Sequence, residues 1–277
     1  MRTTETDREE ELRLVRLAQQ GDRGSFSLLI DRHFPPLHEF LFRSLDDGPL
    51  AERLACQVFR EVEEHLRDLS PDYRLGEWLL ALGGGTARKH RLVQERLREG
   101  LAPGRPPPVS HPVASTLRAL PDPLRETLIL VHYLHLSYEA TARVLEAPVS
   151  AIRRRLHQAR REAARLQGFP LDFPCRRLQE ELDAHLDGEL EPFTVRPLGT
   201  HLSTCVSCRK ELALLKELQT VLDRYPKTSG TGKPSAGYWA FRDAASGPLP
   251  SLPRKPARPR RMYWPLLALL PVQQAQP

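Results

Sequence analysis

Residues 137–166, SYEATARVLEAPVSAIRRRLHQARREAARL, limit what this chain can fold into more than any other stretch. Ser137 suits a helix N-cap, because its hydroxyl can accept an orphan amide of the first turn. Tyr138, Thr141, Ala142 and Leu145 then recur at i, i+3, i+4 and i+7, one face of a helix. Glu146-Ala147-Pro148 breaks the run, and Pro148 fits the first turn of a new helix. In that helix Val149, Ile152, Leu156 and Ala159 form a buried stripe, while Ser150, Arg153, Arg154, His157, Gln158 and Arg161 take the other face. A short amphipathic helix, a corner, and a helix apolar behind and arginine-rich in front make a helix-turn-helix. Guanidinium groups suit that work because they pair with phosphates and fork onto guanine edges. A basic helix alone would read as a solvated bundle face; the preceding helix and corner make DNA the expected partner. Ser150, Arg153, Arg154 and His157 are assigned to bases, and Arg155, Arg160 and Arg161 to phosphates or the helix end. Ala151 and Gln158 complete that contact surface.

The totals fit a helical chain of several units. At 277 residues there is room for two or three small domains, and the net charge of +6 favours an anionic partner without naming one. Aromatic residues make up only 6 % and strand-like alternation is scarce, so the expected fold is all-α. The 26 prolines gather between periodic segments, which argues for units joined by linkers. Four cysteines and a polar N-terminus without a secretory signal point to a reducing cytoplasm. There a Cys/His cluster is more often a metal site than a disulfide framework.

The first third reads as four helices around one small core. Leu14, Leu17 and Ala18 share a face of the first; Phe26, Leu29, Ile30, His33, Leu37 and Leu41 of the second; Leu54, Ala55, Val58, Phe59 and Val62 of the third. Trp78, Leu79 and Leu82 begin the fourth, with Trp78 expected in the core rather than as a stacking platform. Two features should distort these helices. Pro35-Pro36 should kink or interrupt the second. Gly83-Gly84-Gly85 should fray or bend the fourth, at about 1 kcal/mol per glycine against alanine. Beyond the glycines, Arg88, Lys89 and Arg91 supply a basic face for phosphate contact, and Cys56 reads as a small buried residue.

A second constellation lies C-terminal to the helix-turn-helix. Cys205 and Cys208 have the knuckle spacing that lets two thiolates reach one ion, and His201 sits one helical turn earlier. Cys175 completes a closed four-ligand set suited to structural zinc, which can staple helices too short to bury a core. No His follows Cys208, which excludes haem attachment, and the deaminase signature is absent. A redox role for the thiols remains the lesser alternative. His185 is off the motif and is expected on a helix surface.

These stretches carry a resemblance. LVRLAQQGDRGSFSLLIDRHF, AERLACQVFREV and WLLALGGGTARKHRL look like region 2 of the sigma-70 family, extracytoplasmic-function type, and residues 117–160 resemble region 4 of the same family. The resemblance implies a promoter-specificity subunit: region 4 would grip the minus-35 element, while region 2 would hold the polymerase clamp and capture the melted minus-10 strand. Leu54, Gln57, Val58 and Phe59 would then meet core RNA polymerase. The leading Cys175, the phrase LDGEL at 186–190 and the His-x3-Cys-x2-Cys resemble the zinc-binding anti-sigma domain, which wedges between regions 2 and 4 and blocks polymerase. Pro197 and Gly199 depart from that pattern where its second helix should run.

The expected organisation is a region 2-like domain at 9–97, a proline-rich linker at 98–115, a region 4-like domain at 116–167, a zinc module at 174–225, and a disordered tail at 226–277. The tail ends in MYWPLLALLPV, too short to span a bilayer; it reads as a floppy end, with superficial membrane contact the lesser reading. The leading functional reading is a cytoplasmic sigma-like initiation factor whose zinc module restrains it in cis. Arg53, Cys56 and the glycine triplet depart from the family pattern and favour a second reading, a DNA-binding regulator without polymerase function. A third is an interaction protein whose module binds another sigma factor in trans. No nucleophile–base pair, paired-acid phrase or phosphate loop stands out, so no enzyme is expected.

Overall fold

Apolar residues at helical spacing, punctuated by Asp, Ser and Pro caps, become twelve α-helices and no strand among the described residues of the computed structural model. Those residues are 5–66, 74–99, 109–171, 175, 178–227 and 236–246. All lie in one compact unit, Met1–Gly247.

Helices α1 (Glu5–Gln19), α2 (Arg23–Leu45), α3 (Gly48–His65) and α4 (Leu75–Glu99) close around Leu29, Ile30, Leu37, Phe40, Leu41, Val58, Phe59 and Val62. Asp22 caps α2 by accepting from the Gly24 and Ser25 amides at 3.3 and 3.1 Å, and Asp47 caps α3 through the Leu50 amide at 2.9 Å. Helices α5 (Pro112–Ala119), α6 (Asp122–Leu128), α7 (Tyr138–Val144) and α8 (Val149–Gln167) form a second bundle, and α6 runs on as a π-helical turn, Ile129–Tyr133. The Ser137 hydroxyl accepts from the Ala140 amide at 3.2 Å, as its N-cap position requires, and the corner turns at Glu146 in the left-handed region (φ 47°). Ile152, Leu156, Ala159 and Ala163 pack beneath α8. A third group, α9 (Gln179–Asp187), α10 (Pro192–Thr204) and α11 (Val206–Asp223), has a small core of Leu182, Leu198, Cys208 and Leu215. Helix α12 (Ala236–Ser246) follows and packs on α2 and α3.

The first two bundles meet along a seam of ion pairs. Arg88 reaches the buried Glu126 at 2.6 Å, Arg91 reaches Asp122 at 2.8 Å, and Arg143 pairs with both oxygens of Glu77 at 2.7 Å. At one end of the seam the last turn of α11 inserts. The Arg43 guanidinium, 3 % exposed, lies 3.7 Å from the Tyr133 ring centroid and 4.8 Å from that of Tyr225. Tyr133 Oη donates to the Leu222 carbonyl at 3.1 Å, and Tyr225 Oη donates to Asp46 at 2.7 Å. Asp46 also accepts from Ser110 and Arg118.

Several expectations fail here for physical reasons. Helix α4 is continuous through Gly83-Gly84-Gly85, because packing decides where propensity would break it: a Cβ at Gly83 would sit 2.6 Å from Leu37 Cδ1. The glycines let α4 approach α2. Helix α2 likewise runs uninterrupted through Pro35-Pro36, with Phe34 and Leu37 buried on either side. Helix α10 passes through Pro197, and a Cβ at Gly199 would meet nothing within 4 Å. The second bundle begins inside the expected linker, since α5 starts at Pro112 with His111 as its cap; residues 100–108 lie outside the described residues. The expected disorder of the tail fails at α12, where Tyr238 and Phe241 supply a docking face. The apolar end at 262–272 lies outside the described residues. Cys56 is buried, which pushes its thiol up to about 11, and the His185 side chain is exposed.

Candidate nucleic-acid interface and metal centre

Helix α8 has three faces. Ile152, Leu156 and Ala159 bury it in its own bundle, Ser150, Arg154, Gln158 and Arg161 are exposed, and a third flank sets His157 and Arg160 against α9 and Arg153 against Glu191, the cap of α10. Ala151 and Arg155 are half-buried. On that flank the sequence assignments to DNA meet acids instead. Asp183 accepts from Arg160 Nη1 at 2.9 Å and lies 2.8 Å from His157 Nδ1. Asp187 takes Arg160 Nη1 and Nη2 at 3.0 and 2.5 Å and the Tyr138 hydroxyl at 2.6 Å. Arg153, its guanidinium 5.6 Å from the Tyr138 ring centroid, reaches Glu191 at 3.2 Å, and the Tyr138 amide points at Glu189 at 3.5 Å. Arg160 is 1 % exposed. Burial by itself would make that guanidinium easier to neutralise, but Asp183 and Asp187 outweigh it and hold the charge. Burial first, and then the Asp187 carboxylate, push the Tyr138 phenol up.

His157 and Arg160 are therefore covered in this arrangement and cannot touch a base or phosphate while α9 is in place, and Arg153 is engaged beside them. The expected phosphate face on α4 is likewise corrected: Arg88 and Arg91 are spent on Glu126 and Asp122 of α6, and only Lys89 of the three is exposed. Of the residues assigned to polymerase, Val58 and Phe59 are fully buried and belong to the core, Leu54 is half-buried, and Gln57 is exposed. Beside them α12 covers the α2–α3 surface. Phe241 packs on Phe59, Tyr238 on Phe34 with ring centroids 4.4 Å apart, and Arg242 grips both oxygens of Asp31 at 2.8 and 2.7 Å.

The four metal-ligand candidates come together. The thiols of Cys175, Cys205 and Cys208 and a ring nitrogen of His201 lie within 4.8 Å of one another, and His201 Nε2 is 3.2 Å from Cys208 Sγ. A tetrahedral ion with bonds of about 2.0–2.3 Å has edges of roughly 3.5–4 Å, so three thiols and one imidazole at this spacing fit a closed structural site for a thiophilic divalent ion. The knuckle works because Cys205 ends α10 and caps α11 in an extended conformation, aiming both thiols inward. Amides at the start of α11, that of Cys208 first, draw the Cys205 thiol down, while burial pushes Cys208 up to about 12.

Sequence reasoning missed the acidic partners Asp183, Asp187, Glu189 and Glu191 and the polar role of Tyr138. A signal was present. Asp183 and Asp187 are spaced i, i+4, which puts both on one helix face, and the basic trio Arg153, His157 and Arg160 has matching helical spacing.

Comparison with known proteins finds two family matches in the chain. Residues 110–162 match the family described as sigma-70, region 4, and residues 175–209, which contain all four candidate ligands, match a family described as a zinc finger. The RNA polymerase sigma-H factor of Pseudomonas aeruginosa is 26 % identical over 175 residues, spanning 55 % of this chain and 91 % of that protein. The ECF RNA polymerase sigma-E factor of Escherichia coli K12 is 24 % identical over 178 residues, spanning 53 % and 88 %. Among solved structures, CnrH in complex with the cytosolic domain of CnrY aligns with a TM-score of 0.47 at 24 % identity, over 57 % of this chain and 97 % of that one. The sigma factor RpoE with the anti-sigma factor NepR from Bartonella quintana aligns at 0.42 and 19 % identity, over 52 % and 98 %. Through these matches the chain is a homologue of extracytoplasmic-function sigma factors, carrying a sigma-70 region 4 joined on one polypeptide to a zinc-finger domain of the anti-sigma type.

Proposed function

We propose that this protein is a sigma-type transcription initiation factor whose own C-terminal module holds it inactive. Its relatives are initiation factors, not enzymes, and two of them are named for RNA polymerase. In the active form α8 would enter a promoter groove, with Ser150, Arg153, Arg154 and His157 toward bases and Arg155, Arg160 and Arg161 toward phosphates. The α2–α3 surface around Leu54 and Gln57 would receive core RNA polymerase. One observation carries the restraint: Asp183 and Asp187 of α9 occupy the Arg160, His157 and Tyr138 groups that DNA would need. Two carboxylates one helical turn apart present those groups with the same chemistry as a phosphate backbone, fixed covalently at high effective concentration. Helix α12 packs on the neighbouring part of the α2–α3 surface, over Phe34 and Phe59, and leaves Gln57 exposed.

Zinc at Cys175, His201, Cys205 and Cys208 would tie α9, α10 and α11 into one body and so hold α9 against α8. No helix among the described residues is long and apolar enough to cross a membrane. A role on promoter DNA would be carried out in the cytoplasm. Run-off transcription with core polymerase tests the reading, comparing the full chain with one ending at Gln167. Higher output from the shortened chain is expected; equal output would remove cis restraint from the account.

A further inference from the structure

The restraint leaves a mould of what it replaces. Tyr138 opens α7 and Arg160 sits in the fourth turn of α8, and both point at one carboxylate, that of Asp187. That carboxylate accepts three hydrogen bonds of 2.5 to 3.0 Å: two from the guanidinium and one from the phenol. Arg160 is 1 % exposed with α9 in place, and its carboxylate partners, Asp183 and Asp187, both lie on that covering helix. Withdrawal of α9 opens to water a guanidinium and a phenol already brought together around the position of one anion. A planar fork plus a hydroxyl donor is a set that phosphate oxygens satisfy as well as carboxylate oxygens do. Beside the cradle stand Arg153 and His157, both basic and both held by the same module.

We propose that Tyr138 and Arg160 form a binding site for a single backbone phosphate of duplex DNA, and that Asp187 occupies this site in the restrained chain. The inference rests on the reading of α9 as a cis restraint and adds its chemical target. Tyr138, which sequence spacing places among the apolar residues of its helix, thereby becomes a DNA-contacting residue in the released protein. The contact reads no bases. It fixes register, so its loss should weaken every duplex alike.

The test uses the full chain carrying Asp183→Asn and Asp187→Asn, with and without Tyr138→Phe, and a promoter duplex in which one phosphate at a time is replaced by an uncharged methylphosphonate. Tyr138→Phe keeps the ring and removes only the donor; it should weaken binding about tenfold on promoter and unrelated duplex alike. At one phosphate position that loss should vanish, because the duplex no longer offers the acceptor. Arg160→Gln in the same background should lower the slope of log affinity against log salt by about one. Losses from Tyr138→Phe and from methylphosphonate that add at every position would overturn the cradle alone. Absence of any duplex binding by the doubly amidated chain would overturn the restraint reading and the cradle with it.

Discussion

Replacing Asp183 and Asp187 by asparagine isolates the charge that α9 brings to α8. Both side chains keep their size, and both lose the negative charge that faces Arg160, whose guanidinium is 1 % exposed. Removing the partner of a buried ion costs roughly 3–5 kcal/mol, because the remaining charge is left without solvent or counter-ion. The penalty falls on the docked state alone, since the undocked helix has water on both sides. At 1.4 kcal/mol per factor of ten, the docked population should drop between roughly 100- and 4,000-fold relative to the open one. The pair of Arg153 and Glu191, with the acid half-exposed, adds less than about 1 kcal/mol and cannot hold α9 alone. When the docked form dominates, the apparent dissociation constant is the intrinsic one divided by the open fraction, so DNA affinity should climb by the same factor until the open form prevails. The chain ending at Gln167 marks that ceiling. Fluorescence anisotropy with a promoter duplex at fixed salt reads the affinity, and far-UV circular dichroism checks that helix content is kept. A doubly amidated chain that binds no tighter than the parent, beside a shortened chain that does, would show that α9 acts through something other than these carboxylates.

Three further outcomes are expected. Gly83→Ala should lower stability by about 1–3 kcal/mol, since the new methyl meets the fully buried Leu37, whereas Gly85→Ala, with its nearest neighbour at 4.0 Å, should gain up to about 1 kcal/mol; matched thermal melts separate the two. His132 is held neutral to about pH 4, mainly by burial, against the pull of Asp223 at 3.2 Å. The unfolded chain protonates this histidine near pH 6.5, so its contribution is intact above that pH and is lost progressively down to about pH 4; melting temperatures of the parent should fall more steeply across that window than those of His132→Gln. If Cys175, His201, Cys205 and Cys208 hold zinc, chelation should loosen α9 through α11, seen as faster amide exchange there and in α8, while α1 to α3 keep their protection; unchanged exchange in α9 would divorce the metal from the docking.

What was legible in the sequence was local. The corner at Ala147-Pro148, the Ser137 cap and the 3-4-3 spacing of the α8 stripe are set by neighbours a few residues apart, and they appear where expected. The Cys/His spacing is of the same kind, because ligand geometry is written into the chain between Cys175 and Cys208. Illegible were features decided by partners far along the chain. The glycine triplet looked like a helix breaker because intrinsic propensity is a property of one segment; its actual use, close approach to Leu37, needs α2. Tyr138 counted as one more apolar residue until Asp187, 49 positions on, gave its hydroxyl a partner. Arg88 and Arg91 looked free for phosphate because their acids sit 38 and 31 residues downstream in α6. Helix α12 was hidden by its neighbours, since Tyr238, Phe241 and Arg242 lie within a stretch rich in Lys, Gly, Ser and Pro.

Arg43 is clasped between two rings that belong to different parts of the chain, Tyr133 and Tyr225, and its own helix is a third. An arch behaves like this: three ribs lean on one stone, and none can be drawn away while the other two stay shut. Parting the first bundle from the second pulls Arg43 off Tyr133, and lifting the module pulls Tyr225 off Arg43 and breaks its hold on Asp46. Partial opening thus forfeits most of what full opening forfeits, which favours a switch that snaps over one that slides.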